Sequence, residues 1–259
     1  MAGSSNNLGQ QGEPFAGRFN GADSSSTIHR KNEDNGGTAV ERSSLFSGLL
    51  PSEAARISAA ARVKEFTRGE MLYIGGDSVQ QVFLLTSGFV KVTQFGLGGK
   101  EVILRFHVPG DVLGAVGLFS RGTHCTTARV FRSSRVLVWD APCFKALVER
   151  VPALHLNMVR IIEGDLLELQ ERFQEVATEK VGPRVARQVV RLTETMGGQV
   201  NGGVEIGLSR EELAQMTGTT LFTVSRLLSA WEARGIVKPR REAVTVFDLQ
   251  SLRGISEDR

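Results

Sequence analysis

The chain of 259 residues is poor in cysteine and has no long apolar run. Its two cysteines, Cys125 and Cys143, cannot form a disulfide framework, and they are fewer than the four ligands of a structural zinc or iron–sulfur site. No apolar stretch approaches the ~18 residues of a membrane-spanning helix, and the N-terminus lacks the pattern of a secretory signal. These absences predict a cytoplasmic protein without a membrane span, a metal or an iron–sulfur cluster.

Signatures of catalysis are also missing. The sequence has no paired carboxylates, nucleophile elbow, phosphate-binding loop or cluster of histidine and cysteine at metal-ligand spacing. We therefore do not expect an enzyme. The net charge of +3 is compatible with nucleic-acid binding but does not demonstrate it.

Composition divides the chain into four segments. Residues 1–40 contain seven glycines and almost no large aliphatic side chains, so residues 1–43 are predicted to form a disordered tail. The other predicted segments are a β-rich domain at 44–150, a long helix at 151–181 and a C-terminal domain at 182–259. The predicted class is therefore α+β.

Residues 69–122 contain 11 glycines, with short β-prone runs between them. The runs predicted as strands are 71–74, 79–86, 89–95, 102–106, 126–131 and 135–139. Hairpin turns are expected at Ser87-Gly88 and at Gly98-Gly99. Short strands with glycine-rich turns and no intervening helix favour a small antiparallel barrel or sandwich.

The hydrophobic period changes from two to seven after Pro152. One stripe has the alternating spacing 4, 3, 4, 3, 4, 3 that is typical of a coiled-coil seam, and it begins at His155. The predicted dimer-interface residues on it are Val159, Ile162, Leu166, Leu169, Phe173 and Val176. A second stripe, formed by Leu154, Met158, Ile161 and Leu167, is expected to pack on the barrel. An ordinary core helix remains the alternative.

Residues 208–235 have the pattern of a helix-turn-helix. Ser209 and Glu212 are spaced as a capping box, Gly218 suits the positive φ of a tight turn, and Thr220 can cap the second helix. Gly235 is placed to end that helix. Two strand-prone runs at 236–237 and 244–247 follow, so the motif is predicted to be a winged helix that binds DNA.

The exposed face of the second helix carries the candidate DNA-reading residues. Those predicted to contact bases are Leu221, Phe222, Ser225 and Arg226. Arg226 can donate two hydrogen bonds to a guanine, and Phe222 can contact a thymine methyl, although an apolar packing patch remains open for Phe222. The residues predicted to contact phosphates are Arg210, Thr220, Lys238, Arg240 and Arg241.

The order of barrel, long helix and winged helix resembles the CRP/FNR family of bacterial transcription factors. The resemblance covers residues 45–250, and it is carried by 82–92, 109–114, 117–119 and 219–226. It implies a β-roll of the cyclic-nucleotide-binding type, a homodimer through the long helix, palindromic promoter DNA as ligand and RNA polymerase as a partner. A cyclic-nucleotide-binding signalling module without DNA function is the alternative, and the winged helix argues against it.

The sequence departs from the cAMP-binding members of this family. The candidate effector-pocket residues are Gly114, Ala115, Cys125, Thr126 and Thr127. Where those members carry a ribose-binding glutamate and a phosphate-binding arginine, this chain has Ala115 and Cys125. An unpaired buried phosphate is unfavourable, so cAMP is not expected as the effector.

Haem is not expected either. The candidate ligands His107, His124 and His155 stand out only by residue type. In the second helix of the motif, Leu221 and Phe222 replace the family's common arginine and glutamate, whereas Arg226 is retained. The half-site should therefore differ from the best-known ones and keep one guanine.

Overall fold

The computed structural model describes residues 36–258, and the prediction for residues 1–35 lies outside this range. The predicted tail was too long at its C-terminal end, because helix α1 spans Gly36–Arg42. Ala39 is buried, and Val40 packs against the core that contains Leu45 and Ile57. Burial of these two apolar side chains explains why this stretch is ordered although its composition is that of a tail.

Nine α-helices, one short 3-10 helix (Ser44–Phe46) and ten strands are formed within residues 36–258. The remaining helices are α2 (Pro51–Ala59), α3 (Ala115–Leu118), α4 (Ala141–Arg150), α5 (Pro152–Thr178), α6 (Val181–Met196), α7 (Arg210–Thr217), α8 (Leu221–Ala233) and α9 (Leu249–Glu257). The strands are β1 (Arg62–Phe66), β2 (Met71–Tyr73), β3 (Gln81–Phe95), β4 (Glu101–His107), β5 (Val112–Leu113), β6 (Thr127–Asp140), β7 (Gly198–Val200), β8 (Gly203–Ile206), β9 (Val237–Pro239) and β10 (Val244–Val246).

An antiparallel six-stranded sheet forms the N-terminal domain. Its main path is β1-β6-β3-β4, while β2 pairs with β6 and β5 pairs with β3. The fold class predicted from the sequence is confirmed. Strands β3 and β6 are long, and each joins two runs that the sequence pattern had separated.

The turn predicted at Ser87-Gly88 is wrong, because β3 continues through it with an irregular register against β6. Gly88 has φ +87°, and a Cβ there would lie 2.3 Å from the carbonyl oxygen of Ser133. Glycine therefore permits a bulge and close approach of two strands rather than a chain reversal. The hairpin at Gly98-Gly99 is confirmed between β3 and β4.

Helix α5 packs on the β-roll through its N-terminal half. Leu154 and Met158 are buried there, as the second stripe predicted. Leu167 does not belong to that face, since its side chain is half exposed. Asp165, Glu168 and Arg172 occupy the part of α5 that faces the roll at this level. The face is therefore polar where an apolar stripe was expected.

The C-terminal domain is built around buried apolar side chains of its helices and strands. Helices α6 to α9 enclose the sheet β7-β8-β10-β9, and the predicted wing is the hairpin between β9 and β10. Strands β7 and β8 precede the helix-turn-helix in the chain. Strand β8 pairs with β7 on one side and with β10 of the wing on the other.

The two domains share apolar and ionic contacts. Phe89, Ile103 and Phe106 of the roll belong to the same apolar cluster as the core of the C-terminal domain. The Lys91 ammonium lies 3.3 Å from the Glu212 carboxylate at the start of α7, and both side chains are largely buried. The roll and the helix-turn-helix are therefore docked on one another within this chain.

Candidate nucleic-acid interface

Local hydrogen bonds cap the N-termini of both helices of the helix-turn-helix. The Ser209 hydroxyl accepts from the Glu212 N–H at 3.2 Å, and the Glu212 carboxylate accepts from the Ser209 N–H at 3.0 Å. Gly218 has φ +63° at the end of α7. The Thr220 hydroxyl accepts from the Thr223 N–H at 3.1 Å and caps α8. The capping box, the turn glycine and the N-cap predicted from the sequence are confirmed.

The inner face of α8 anchors it. Val224, Leu228 and Trp231 are buried against α7 and the wing sheet, and Ala214 of α7 is buried where the helices cross. Gly235, with φ +72°, ends the helix as expected. One face of helix α8 is therefore packed against the domain core, and the opposite face is directed to solvent.

The outer face of α8 is free for a ligand. Leu221 and Phe222 are exposed, Phe222 by 76%, and Arg226 is also exposed. Ser225 is only partly exposed beside them. The structure brings these four predicted base-contact residues to one surface. Within residues 39–258, Arg226 has no ion pair, so its guanidinium is available.

The wing presents cations next to that surface. Lys238, Arg240 and Arg241 are exposed at the β9–β10 hairpin, where the Arg240 N–H donates to the Ala243 carbonyl at 2.7 Å. The Arg240 guanidinium lies 3.4 Å from the Glu205 carboxylate, although it remains 63% exposed. Such exposed groups can reach phosphates at little desolvation cost.

Arg210 differs from the other predicted phosphate contacts. It is the first residue of α7 and only partly exposed, and its Nε is buried without a hydrogen-bond partner. Its side chain therefore has less freedom to reach DNA than the wing cations have.

The predicted dimer seam of α5 is open in the single chain. Val159, Leu166, Leu169, Phe173 and Val176 are exposed, and Ile162 is partly buried. Phe173 is the most exposed of them, at 75%. A continuous apolar stripe of this length on a surface helix is typical of an interface with another chain.

A cavity of about 300 Å³ lies between the roll and α5. Gly114, Ala115, Cys125 and Thr126 line it, as the sequence predicted for an effector pocket. Thr127 does not line it; its hydroxyl accepts the Gly75 N–H at 2.9 Å on the other side of the strand. Thr126 precedes β6 and Thr127 is the first residue of that strand, and only Thr126 lines the cavity.

Sequence reasoning missed the charged wall of this cavity. Arg105 of β4 and Asp165, Glu168 and Arg172 of α5 all line it. Arg105 forms an ion pair with Asp165. No local pattern in the sequence of β4 marks Arg105 as a wall residue, since the packing of α5 is what places Asp165 and Glu168 opposite it.

Two of the three histidines weighed as haem ligands contact other side chains. His107 Nδ1 lies 3.1 Å from the Asp111 carboxylate. The His124 ring stacks on Tyr73 with centroids 4.0 Å apart. His155 is exposed on α5.

An N-terminal β-roll, a long helix and a capped, exposed helix-turn-helix together define the class of DNA-binding transcriptional regulators. In comparisons with known proteins, residues 63–151 match the cyclic nucleotide-binding domain and residues 183–255 match the Crp-like helix-turn-helix domain. The chain belongs to the CRP/FNR family of transcriptional regulators.

Two relatives of known function match this chain over nearly the whole of their own length. A CRP-like cAMP-activated global transcriptional regulator of Mycobacterium tuberculosis (strain CDC 1551 / Oshkosh) is 24% identical over 82% of this chain and 96% of its own. A cyclic AMP receptor protein of Thermus thermophilus is 27% identical over 77% and 90%. The crystal structure of another CRP/FNR-family regulator from Thermus thermophilus shares the fold, with TM-score 0.66, 21% identity, and coverage of 76% and 100%. No helix within residues 36–258 is long and apolar enough to cross a membrane.

Proposed function

We propose that two copies of this chain pair through α5 and bind a palindromic promoter site, with α8 of each copy in the major groove. The observation that carries this proposal is the exposed outer face of α8. The N-terminus of this helix is capped by Thr220, and the cationic wing lies beside it. Paired copies related by a two-fold axis present two such helices, which matches two half-sites of a palindrome.

Base reading and backbone anchoring fall to different side chains. Arg226 has the donors for the O6 and N7 acceptors of a guanine, and Phe222 and Leu221 offer apolar surface to thymine methyls. Lys238, Arg240, Arg241 and Thr220 contact phosphates in this proposal. Arg210, whose Nε is buried, contacts phosphate through the terminal nitrogens of its guanidinium in this proposal.

We further propose that the protein acts in the cytoplasm, has no catalytic activity and contacts RNA polymerase at the promoter, in keeping with its family. cAMP is not its effector in this proposal. The wall residues Ala115 and Cys125 supply neither a carboxylate for a ribose nor a cation for a phosphate. The two relatives named for cAMP are therefore a guide to the fold and to DNA binding, and not to the effector.

The DNA proposal is tested with an operator enriched from a random duplex pool on the wild-type protein. Arg226→Ala should lose about 1–3 kcal/mol of binding free energy per half-site on that operator and relax the preference at one position. Arg241→Ala should weaken operator and random DNA alike, and it should lower the salt slope by about one for each phosphate that the side chain no longer neutralises.

Fluorescence anisotropy at several salt concentrations measures both effects. If Arg226→Ala weakened operator and random DNA by the same factor, Arg226 would be a phosphate contact and the proposed reading face would be wrong. If wild-type protein selected no preferred sequence from the pool, sequence-specific binding itself would be contradicted.

A further inference from the structure

The cavity between the roll and α5 has a predominantly apolar wall. Leu104, Val92 and Leu113 line it from the roll, and Met158, Ile161 and Ile162 line it from α5. Its volume of about 300 Å³ is at the small end of ligand sites. A wall of this kind stabilises a compact ligand mainly by removing apolar surface from water.

The two arginines of the wall are already engaged by groups of the protein. The Arg105 guanidinium contacts the Asp165 carboxylate and lies 3.5 Å from Glu168 and 3.7 Å from Asp111. The Arg172 Nη2 donates to the Met216 carbonyl at 2.9 Å and to the Ile103 carbonyl at 3.4 Å. These contacts take up part of the hydrogen-bonding capacity of both arginines, whereas the Arg105 Nε is buried without a partner. What opposes a ligand anion is therefore the charge of the surrounding carboxylates and not a lack of donors.

The carboxylates around Arg105 outnumber it. Burial would lower the pKa of Arg105, but Glu168, Asp165 and Asp111 outweigh burial and raise this pKa. Arg105 therefore stays charged and paired. A phosphate placed here would lose its hydration and meet Asp165 and Glu168, which also line the cavity, so its transfer from water is unfavourable.

The end of the cavity near α3 is polar but uncharged. Tyr73, Cys125 and Thr126 line it, and the Tyr73 ring stacks on the ring of His124, which also lines the cavity. Burial raises the pKa of Tyr73 to about 12, so its hydroxyl remains neutral near pH 7. A ligand can find hydrogen-bond partners at this end without a counter-charge.

From this wall we infer that the cavity takes a small, largely apolar molecule that carries no negative charge. This inference depends on the proposed function in one respect: the molecule is an effector only if the protein regulates transcription. Binding of the small molecule is measured in the absence of DNA. The experiment can therefore contradict this inference while the DNA proposal stands, and the DNA experiment can contradict the proposed function while this inference stands.

Two dyes of the same ring system isolate the effect of charge. N-phenyl-1-naphthylamine is neutral, and 8-anilino-1-naphthalenesulfonate adds one sulfonate to it. Fluorescence titration of the wild-type protein should give an affinity for the neutral dye at least about tenfold higher than for the sulfonate dye. Excess cAMP should not displace the neutral dye. Equal or tighter binding of the sulfonate dye, or displacement by cAMP, would overturn the inference.

The two exposed cysteines provide a matched pair that locates the dye. Cys125 lines the cavity, whereas Cys143 lies on α4 away from it. Cys125→Trp should fill the cavity and weaken the neutral dye by about tenfold or more, and Cys143→Trp should leave its affinity unchanged.

Circular dichroism verifies that both variants fold. If Cys125→Trp does not fold, Val116→Trp replaces it, because Val116 is 44% exposed at the cavity wall. Unchanged dye affinity in a folded filling variant would place the dye elsewhere, for example on the seam of α5, and would contradict the inference.

Removing the carboxylates tests the paired arginine directly. Glu168→Gln and Asp165→Asn each leave Arg105 with one opposing charge fewer. The sulfonate dye should then bind more tightly, by about fivefold or more, while the neutral dye changes little. If neither variant bound the sulfonate dye more tightly, the carboxylates around Arg105 would not be the reason that the cavity excludes anions, and this part of the inference would be contradicted.

Discussion

His124 lies stacked on Tyr73 at the polar end of the cavity, and its side chain is almost fully buried. Burial lowers the pKa of His124, against the opposing effect of Asp77. The folded protein therefore prefers the neutral imidazole. The stability gained from that preference is complete above the pKa of histidine in the unfolded chain, near 6.5, and declines as the pH falls through the lower folded pKa.

We accordingly expect wild-type protein to lose more unfolding free energy between pH 7.5 and 5.5 than His124→Gln does. Urea unfolding followed by tryptophan fluorescence at both pH values measures this loss. The control is His155→Gln, which alters an exposed histidine of α5 and should retain the wild-type pH dependence. Equal losses in wild type and His124→Gln would contradict the assigned role of His124.

Glu212 combines two contacts in one side chain. It completes the capping box of α7 with Ser209 and also pairs with Lys91 of the roll. Glu212→Ala should therefore cost about 1–3 kcal/mol of unfolding free energy, because it leaves the Ser209 N–H and the Lys91 ammonium without these partners. Glu211→Ala, at the exposed neighbouring position, should cost much less.

The variant Lys91→Met separates the two contacts, since it removes the ion pair and keeps the cap. Chemical denaturation of the three variants gives the comparison. If Glu211→Ala were as destabilising as Glu212→Ala, the effect would be one of helix charge alone and not of these contacts.

At the scale of elements, helix α5 provides the sharpest test of assembly. Phe173→Asp places a charge in the seam, and in a buried interface this costs several kcal/mol. We expect the variant to shift toward monomer in light scattering and to lose affinity for operator DNA. Leu97→Asp alters an equally apolar and fully exposed side chain outside the seam and should stay dimeric. A persistent dimer in Phe173→Asp with unchanged DNA affinity would contradict the proposed interface.

Features set by neighbours in sequence were predictable, and those set by distant packing were not. The caps at Ser209 and Thr220 depend on residues three positions away, so their pattern is visible in the sequence. The bulge at Gly88 depends on the approach of Ser133, and the exposure of Leu167 depends on where the roll ends against α5. No local pattern carries that information, so a turn and a packing residue were predicted there instead.

The same distinction applies to the sites. The reading face of α8 was predictable because one helix carries it. The cavity wall was predictable only in part, since Arg105 and its carboxylate partners on α5, Asp165 and Glu168, are about 60 residues apart in sequence and meet only in the folded chain. The signal that could have found them is the presence of three acidic residues, Glu163, Asp165 and Glu168, in the part of the helix that was expected to pack on the barrel.

At the scale of the whole molecule, Ile162 and Leu169 lie on the seam of α5 and also line the cavity. A second copy of the chain and a molecule in the cavity would therefore touch the same two side chains. Thermodynamic linkage then makes their effects reciprocal: the factor by which the small molecule changes the dimer dissociation constant equals the factor by which dimerisation changes its own affinity. The concentration of the protein itself would thus set how strongly it senses the compound.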